Sequence, residues 1–384
     1  VTPDPFIHQL TNSPTHQFSR ILLIRLRQIG DVVFTTPAVH ALRRRFPDAH
    51  LAYVVEPAAA PVVINNPHLD DVIVVPRGRG VRGLLADLAV GRRLRAQRYD
   101  VAIDFHGGPR ASLFTWLSGA PVRIGYEGTG RGWMYTQRVA RPRELRPRHS
   151  VENQWDLLSP LDMAPPDRSQ SPVEMMADTA SAAVVADRLA RAGVRDAEPL
   201  IVVHVSAGNP FRRWPAAHFV DLVSWLATAD PRRRIVVTSG PSEGDAAGRV
   251  IADARARLDS GLAERVLSCG EFSLAELRAL LDRAALYIGG DSGPLHIAST
   301  TRVPIVGLYG PTLPARSAPW RIDECVTESV DAGVLPCRPC HQRVCEPGDF
   351  RCLTSIQPRQ VLEAAERALL RTDRGSATSP TLLR

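Results

Sequence analysis

Short apolar runs rich in β-branched residues alternate with longer amphipathic stretches along almost the whole chain, and this alternation limits the fold more than any other feature. In the first half the runs are ILLIRL (21–26), LAYVVE (51–56), VIVV (72–75) and YDVAIDF (99–105). In the second half they are LIVVHVS (200–206), RIVVTS (234–239), RVLSCG (265–270), ALYIGG (285–290) and PIVGLYG (304–310). Between them, TTPAVHALRRRF, AAHFVDLVSWLATA and LAELRALLDRA carry apolar residues three and four apart, which is one face of a helix. The pattern predicts βαβ units that build parallel sheets in an α/β fold.

At 384 residues the chain exceeds what a single core fills, so two domains are expected. The proline-rich, polar stretch PLDMAPPDRSQSPVEM (160–175) marks the change from one half to the other. The sequence therefore divides into a disordered N-terminal segment (1–20), a first domain (21–165), a linker (166–176), a second domain (177–371) and a disordered tail (372–384).

The net charge is +7 and all 47 basic residues are arginine; the chain has no lysine. Schiff-base lysine chemistry is excluded, and anions must be held by guanidinium groups, backbone amides, histidines or helix ends. No apolar run approaches the roughly 18 residues of a membrane-spanning helix. The first twenty residues lack the basic start and apolar centre of a secretory signal, so a cytoplasmic protein is expected.

In open parallel sheets, ligands bind beyond the carboxyl ends of strands. Four stretches have that position. RLRQIGDVVFTTP follows the first strand; its glycine allows a tight turn that leaves Asp31 at the strand end, as a helix cap or as a general base. HVSAGNPFRRWP offers Ser206, the amides around Gly208 and the guanidinium of Arg212 to an anion, or is a glycine turn with solvated arginines. TSGPSEGD places Glu243 at a helix start, where an acid is also ordinary capping chemistry.

GGDSGPLHIAST (289–300) is the fourth. Two glycines end the strand, Ser292 or Gly293 can cap, and Pro294 suits a first helical turn. A helix start of this kind is a natural phosphate site, with Asp291 beside it to receive hydroxyls and His296 one turn further on.

Taken in order, ILLIRLRQIGDVVFTTPAVHALRRRFPDAHLAYVVE, DFHGGPRASLFTWLSGAPVRIGY, FRRWPAAHF, GPSE and GGDSGPLHIAS closely resemble glycosyltransferase family 9, the lipopolysaccharide-core heptosyltransferases. The resemblance runs from about Ile21 to Leu370. It implies a GT-B fold, two Rossmann-like domains with parallel sheets facing across a cleft, the acceptor on the first and the nucleotide-sugar on the second. It implies transfer of a heptose or related sugar from ADP-heptose, with inversion and without a catalytic metal, to a lipopolysaccharide-core or similar glycan acceptor. No D-x-D motif of metal-dependent transferases is present.

By position in the motifs, Asp31 matches the general base. Arg212 matches a basic residue, usually lysine in the family, that neutralises the leaving ADP. Glu243 matches the acid that holds the nucleotide. Ser206, Gly208, Asp291, Ser292, Gly293 and His296 match the diphosphate and donor-sugar segments. The competing functions are a nucleotide-sugar epimerase of the same fold, which needs no base at Asp31, and a non-catalytic anionic-ligand-binding protein.

CRPCHQRVCEPGDFRC (337–352) places Cys337, Cys340, Cys345 and Cys352 in one loop that could hold a structural zinc ion. Similar cysteine-rich loops in the resembled family point to a structural rather than a catalytic role. RGRGVRG (77–83) and RGWMYTQRVARPRELRPRHS (131–150) are arginine-rich. Such runs could bind RNA or be solvated loops, the commoner case. The resemblance implies instead that they meet phosphates of a lipid-linked acceptor and hold the enzyme at the inner membrane surface, with no nucleic-acid partner expected.

Overall fold

The computed structural model describes residues 18–128, 130–141, 148–241 and 243–377. They fall into two compact units, one ending at Met176 and the other beginning at Ala177. The expected N-terminal segment lies outside the described residues as far as residue 17, and the expected tail from residue 378.

The first unit is built on six parallel strands: β1 (Arg20–Ile24), β2 (His50–Val55), β3 (Asp71–Val74), β4 (Val101–Asp104), β5 (Val122–Tyr126) and β6 (Gln137–Val139). Their spatial order is β3-β2-β1-β4-β5-β6. The second unit repeats the plan with β7 (Leu200–His204), β8 (Arg234–Thr238), β9 (Val266–Leu267), β10 (Leu286–Gly290), β11 (Ile305–Tyr309) and β12 (Thr327–Asp331). There the order is β12-β11-β10-β7-β8-β9. Both are the Rossmann order, in which the chain reverses direction across the sheet beside the first strand, between β1 and β4 and between β7 and β10. Two such units are the GT-B class of architecture.

The central strands are apolar over most of their length because helices cover both of their faces, with Asp104 and His204 at the ends of β4 and β7. Leu22, Ile24, Ala52, Val54 and Ala102 are fully buried with Phe114 of the first unit, and Ile201, Val203, Ile235, Ile288 and Val306 with Leu222, Leu226 and Val361 of the second. Helices that position the sites are α1 (Ile29–Val33), α2 (Thr36–Arg45), α3 (Gly80–Ala96) and α4 (Pro109–Leu117) in the first unit. In the second they are α5 (Ala216–Ala229), α6 (Gly244–Ala256), α7 (Gly293–Ser299) and α8 (Pro358–Ala377).

Some elements depart from expectation. Strands β5, β6 and β12 carry VRIGY, QRV and TESVD, too polar or too short to stand out by periodicity, and β6 and β12 are edge strands. The helix α8 continues to Ala377, so residues 372–377 are helical rather than part of a tail. The segment expected as a linker packs on the first unit: Val173 and Met175 are buried, and the Glu174 amide donates to Thr36 Oγ1 at 2.9 Å. Alternation of two inward apolar residues around an acid anchors it, a pattern hidden by the flanking prolines.

Candidate active site

In the first unit the turn after β1 carries Asp31. The left-handed residue of that turn is Gln28, at φ 63°, while Gly30 lies inside α1, which corrects the expectation that the glycine makes the turn. Gln28 is also the N-cap, with no side-chain cap bond, so Asp31 is not a cap. Its carboxylate instead pairs with the guanidinium of Arg25, and its carbonyl accepts from Gln154 Nε2 at 3.3 Å. The second amino group of Arg25 donates to the Phe105 carbonyl beyond β4, so Arg25 spans the reversal point of the sheet and aims the Asp31 carboxylate, which is 35% exposed.

The loop after β4, DFHGG, completes this end. Asp104 is fully buried and accepts the amides of His106 and Gly107, both at 2.8 Å, on one oxygen and the Tyr135 hydroxyl at 2.6 Å on the other. Burial raises its pKa, and these donors only partly offset the rise. The His106 imidazole is held neutral, its pKa lowered to about 4 by burial and then by the charges of Arg25 and Arg27. Arg25, Asp104 and His106 escaped the residue-by-residue reading. Their signal was the pair of glycines after a strand ending in aspartate.

In the second unit, the residues expected at the donor site do come together at the ends of β7, β8 and β10. Arg212 closes a short 3₁₀ turn (Pro210–Arg212) whose N-cap Asn209 accepts the Phe211 amide at 3.0 Å. Its Nη1 donates to the Asp291 carbonyl at 2.9 Å and lies 3.3 Å from the Asp291 carboxylate. Asp291 is 2% exposed and also meets the Thr312 hydroxyl and, at 3.4 Å, His296 Nε2. Burial alone would raise its pKa, but the bond to His296 and the charge of Arg212 prevail and lower it to about 2. The carboxylate is therefore deeply held by Arg212, Thr312 and His296, while its Oδ1 is buried with no hydrogen-bond partner besides the His296 contact.

The Ser206 hydroxyl is likewise committed. It accepts the Gly240 amide at 2.7 Å and bonds His204 Nε2 at 3.0 Å, and His204 Nδ1 bonds Thr238 Oγ1 at 3.0 Å. This chain locks the loops after β7 and β8 together, and burial keeps His204 neutral, with its pKa lowered to about 4. Gly208 stands beside open space, and Glu243, the N-cap of α6, pairs with Arg213 rather than capping. Ser292 is the N-cap of α7, and its hydroxyl donates to the Gly290 carbonyl at 3.3 Å. Pro294 has no N–H, and the amides of Leu295 and His296 donate to the Ser292 carbonyl at 3.1 and 3.4 Å, so Gly293 is the residue of this first turn whose amide the turn itself does not use.

The glycines before Asp291 are explained by their neighbours. A Cβ on Gly289 would stand 2.4 Å from the hydroxyl of the buried Tyr287, and one on Gly290 would stand 3.3 Å from the Arg212 carbonyl. They make room for a ring and for the Arg212 turn.

Residues 88–347 match the profile of glycosyltransferase family 9 (heptosyltransferase). The chain belongs to this family. It is 25% identical over 300 residues to lipopolysaccharide heptosyltransferase 3 of Escherichia coli, covering 77% of this chain and 84% of the relative. The crystal structure of a family 9 glycosyl transferase from Veillonella parvula superposes with a TM-score of 0.80 at 25% identity, covering 94% of this chain and 99% of that one. Escherichia coli heptosyltransferase WaaC, solved with ADP-2-deoxy-2-fluoro heptose, superposes with a TM-score of 0.63 at 21% identity over 90% of this chain and 99% of that one. This glycosyltransferase therefore has the two-Rossmann-unit architecture of its family, and among the described residues no helix is long and apolar enough to cross a membrane.

The cysteine loop buttresses the Arg212 turn of this glycosyltransferase. Gln342 Oε1 accepts from Arg212 Nε at 2.7 Å and from Asn209 Nδ2 at 3.0 Å, and the buried Arg338 donates to the carbonyls of Gly310 at 2.6 Å and Thr312 at 2.8 Å. Cys337, Cys340, Cys345 and Cys352 line a cavity of about 390 Å³ together with Phe211 and Phe350. The Cys352 thiol is pushed up to about 11 by burial and then by the three neighbouring cysteines. Among the described residues, however, the one group of three or more potential ligands with all donor atoms within 4.8 Å of one another is His40, His68 and Glu174, not the cysteines.

Proposed function

We propose that this glycosyltransferase transfers a heptose from ADP-heptose to a lipopolysaccharide-core or related glycan, with inversion at the anomeric carbon. The observation that carries the reading is the cluster at the second sheet's reversal point. There Arg212 is held by Asp291 and Gln342 beside the start of α7, where a diphosphate finds a fixed charge and the Gly293 amide. The donor named for the WaaC structure fits that chemistry.

On this reading Asp31 accepts the acceptor hydroxyl's proton as the oxygen bonds to the anomeric carbon. The bond from that carbon to the diphosphate breaks, its electron pair leaves on the phosphate oxygen, and Arg212 stabilises the departing ADP. Arg25 orients the base. Asp291 acts through Arg212 as a positioning residue, Glu243 through Arg213, and Ser206 by fixing the loops around Gly208. The charge stabilisation comes from the Arg212 guanidinium and the Gly293 amide, with no metal required. The zinc expected in the cysteine loop would serve to brace Gln342, outside the reaction.

Exposed Val81, Leu84 and Leu85 at the start of α3, interleaved with exposed Arg77, Arg79 and Arg82, support a peripheral seat on an anionic membrane at its cytoplasmic face. The test of the catalytic assignment is Asp31→Ala. Transfer should be abolished while ADP affinity stays near that of the wild type; donor binding lost to the same degree would make Asp31 a structural residue.

A further inference from the structure

Away from both strand-end clusters, three potential metal ligands converge on the first unit. His40 lies on α2, His68 follows β2 in the loop that leads into β3, and Glu174 belongs to the segment just before the division at Met176. One donor atom from each lies within 4.8 Å of the others, and His68 Nε2 stands 3.7 Å from Glu174 Oε1. The imidazoles are stacked, with centroids 4.4 Å apart and planes at 5°. Ligands around a tetrahedral zinc ion with bonds of about 2.1 Å stand about 3.4 Å apart, so small side-chain rotations would bring all three into a first coordination sphere.

The surroundings favour a cation. His40 Nδ1 is buried without a hydrogen-bond partner. Glu174 is largely buried, and among the described residues its carboxylate has no arginine partner, only the Asn66 amide at 2.8 Å and His68. Burial lowers the pKa of both histidines and raises that of Glu174.

The ligands are also braced from behind. Asn66 Oδ1 accepts the His68 amide at 2.9 Å while its Nδ2 orients Glu174, and Arg43 Nε holds the His68 carbonyl at 3.2 Å. Thr36, one helical turn before His40 on the same face of α2, takes the Glu174 amide at 2.9 Å. Two neutral imidazoles and one carboxylate suit a borderline divalent ion such as zinc rather than calcium or magnesium.

We propose that His40, His68 and Glu174 form a divalent transition-metal site of the zinc class that staples residues 173–175 onto α2. The site is independent of the transfer reaction and of the cysteine loop.

The test uses untagged, chelator-treated full-length protein in which Cys337, Cys340, Cys345 and Cys352 are serine, titrated with Zn²⁺ by calorimetry. One equivalent should bind, and His40→Ala, His68→Ala and Glu174→Gln should each weaken binding by at least about tenfold. Zn²⁺ should also slow hydrogen exchange at the Glu174 amide in the parent and not in Glu174→Gln. Circular dichroism of the metal-free variants establishes that each is folded, and Glu174→Gln, nearly isosteric, carries the decision should an alanine variant misfold. Absence of Zn²⁺ binding in the cysteine-free parent, or binding unchanged in Glu174→Gln, overturns the proposal.

Discussion

Arg212 donates to the main-chain carbonyl of Asp291 at 2.9 Å and stands 3.3 Å from the carboxylate of the same residue, so one buried acid holds the guanidinium at two points. Gln342 takes the Nε donor from the other side at 2.7 Å, which fixes the plane of the fork. A charge held in this way acts without having to reorganise as the leaving group departs.

Arg212→Ala should therefore lower kcat by roughly 10²–10³ while ADP affinity falls less. Arg212→Lys keeps the charge but loses the planar fork that reaches both Asp291 and Gln342, so its rate should lie between the two. Steady-state kinetics beside ADP titration calorimetry separate the effects; equal losses of affinity and rate would make the arginine a simple binding residue.

Trp214, next to that turn, supports it from beneath. Its ring packs edge-on against Phe219 with centroids 4.8 Å apart, and its Nε1–H donates to the Ile356 carbonyl at 2.9 Å. Trp214→Ala should destabilise the protein by about 3–5 kcal/mol and Trp214→Phe by about 1 kcal/mol, the share of the lost hydrogen bond. Urea unfolding midpoints would order the variants.

Gly289→Ala should be destabilising by roughly 1–3 kcal/mol, because its methyl group meets a buried tyrosine ring. The nearest atom is the Tyr287 hydroxyl at 2.4 Å, so adding Tyr287→Phe should recover part of the loss. A double-mutant cycle by thermal unfolding measures that coupling, and additive costs would contradict the steric account.

His106 and His204, ordinarily near 6.5, are both held at about 4 in the folded protein. Between these values the unfolded chain binds protons that the folded chain refuses, so stability is full above about pH 6.5 and falls as the pH drops toward 4. Each histidine contributes a slope of up to about 1.4 kcal/mol per pH unit in that window. His204→Gln should flatten the profile; a profile as steep as the wild type would show that His204 titrates freely in the native state.

The two parallel sheets were legible in the sequence because doubly covered strands such as β1, β7 and β11 are unbroken apolar runs, and α5 spans the very stretch that periodicity outlines. The edge strands β6 and β12 escaped because their residues are mostly part-exposed and break the pattern, whereas the edge strands β3 and β9 stood out as VIVV and RVLSCG. Motif positions such as Asp31, Arg212 and Asp291 were visible, since each follows a strand. Their partners were not: Gln342 pairs with Arg212 across 130 residues, which leaves no local pattern, and Arg25 and Thr312 sit in motifs whose side-chain directions the sequence does not give. For the same reason the burial of Asp291 and its hold on Arg212 could not be read from the sequence.

The central claim concerns the donor. The wild-type enzyme should be incubated with ADP-heptose and a lipopolysaccharide-core acceptor, with ADP release followed over time and the anomeric configuration of the product read by NMR. ADP release should be coupled to an inverted glycosidic linkage, with UDP- and GDP-sugars left unused. Turnover of a UDP- or GDP-sugar in place of ADP-heptose, or retention of configuration, would contradict it.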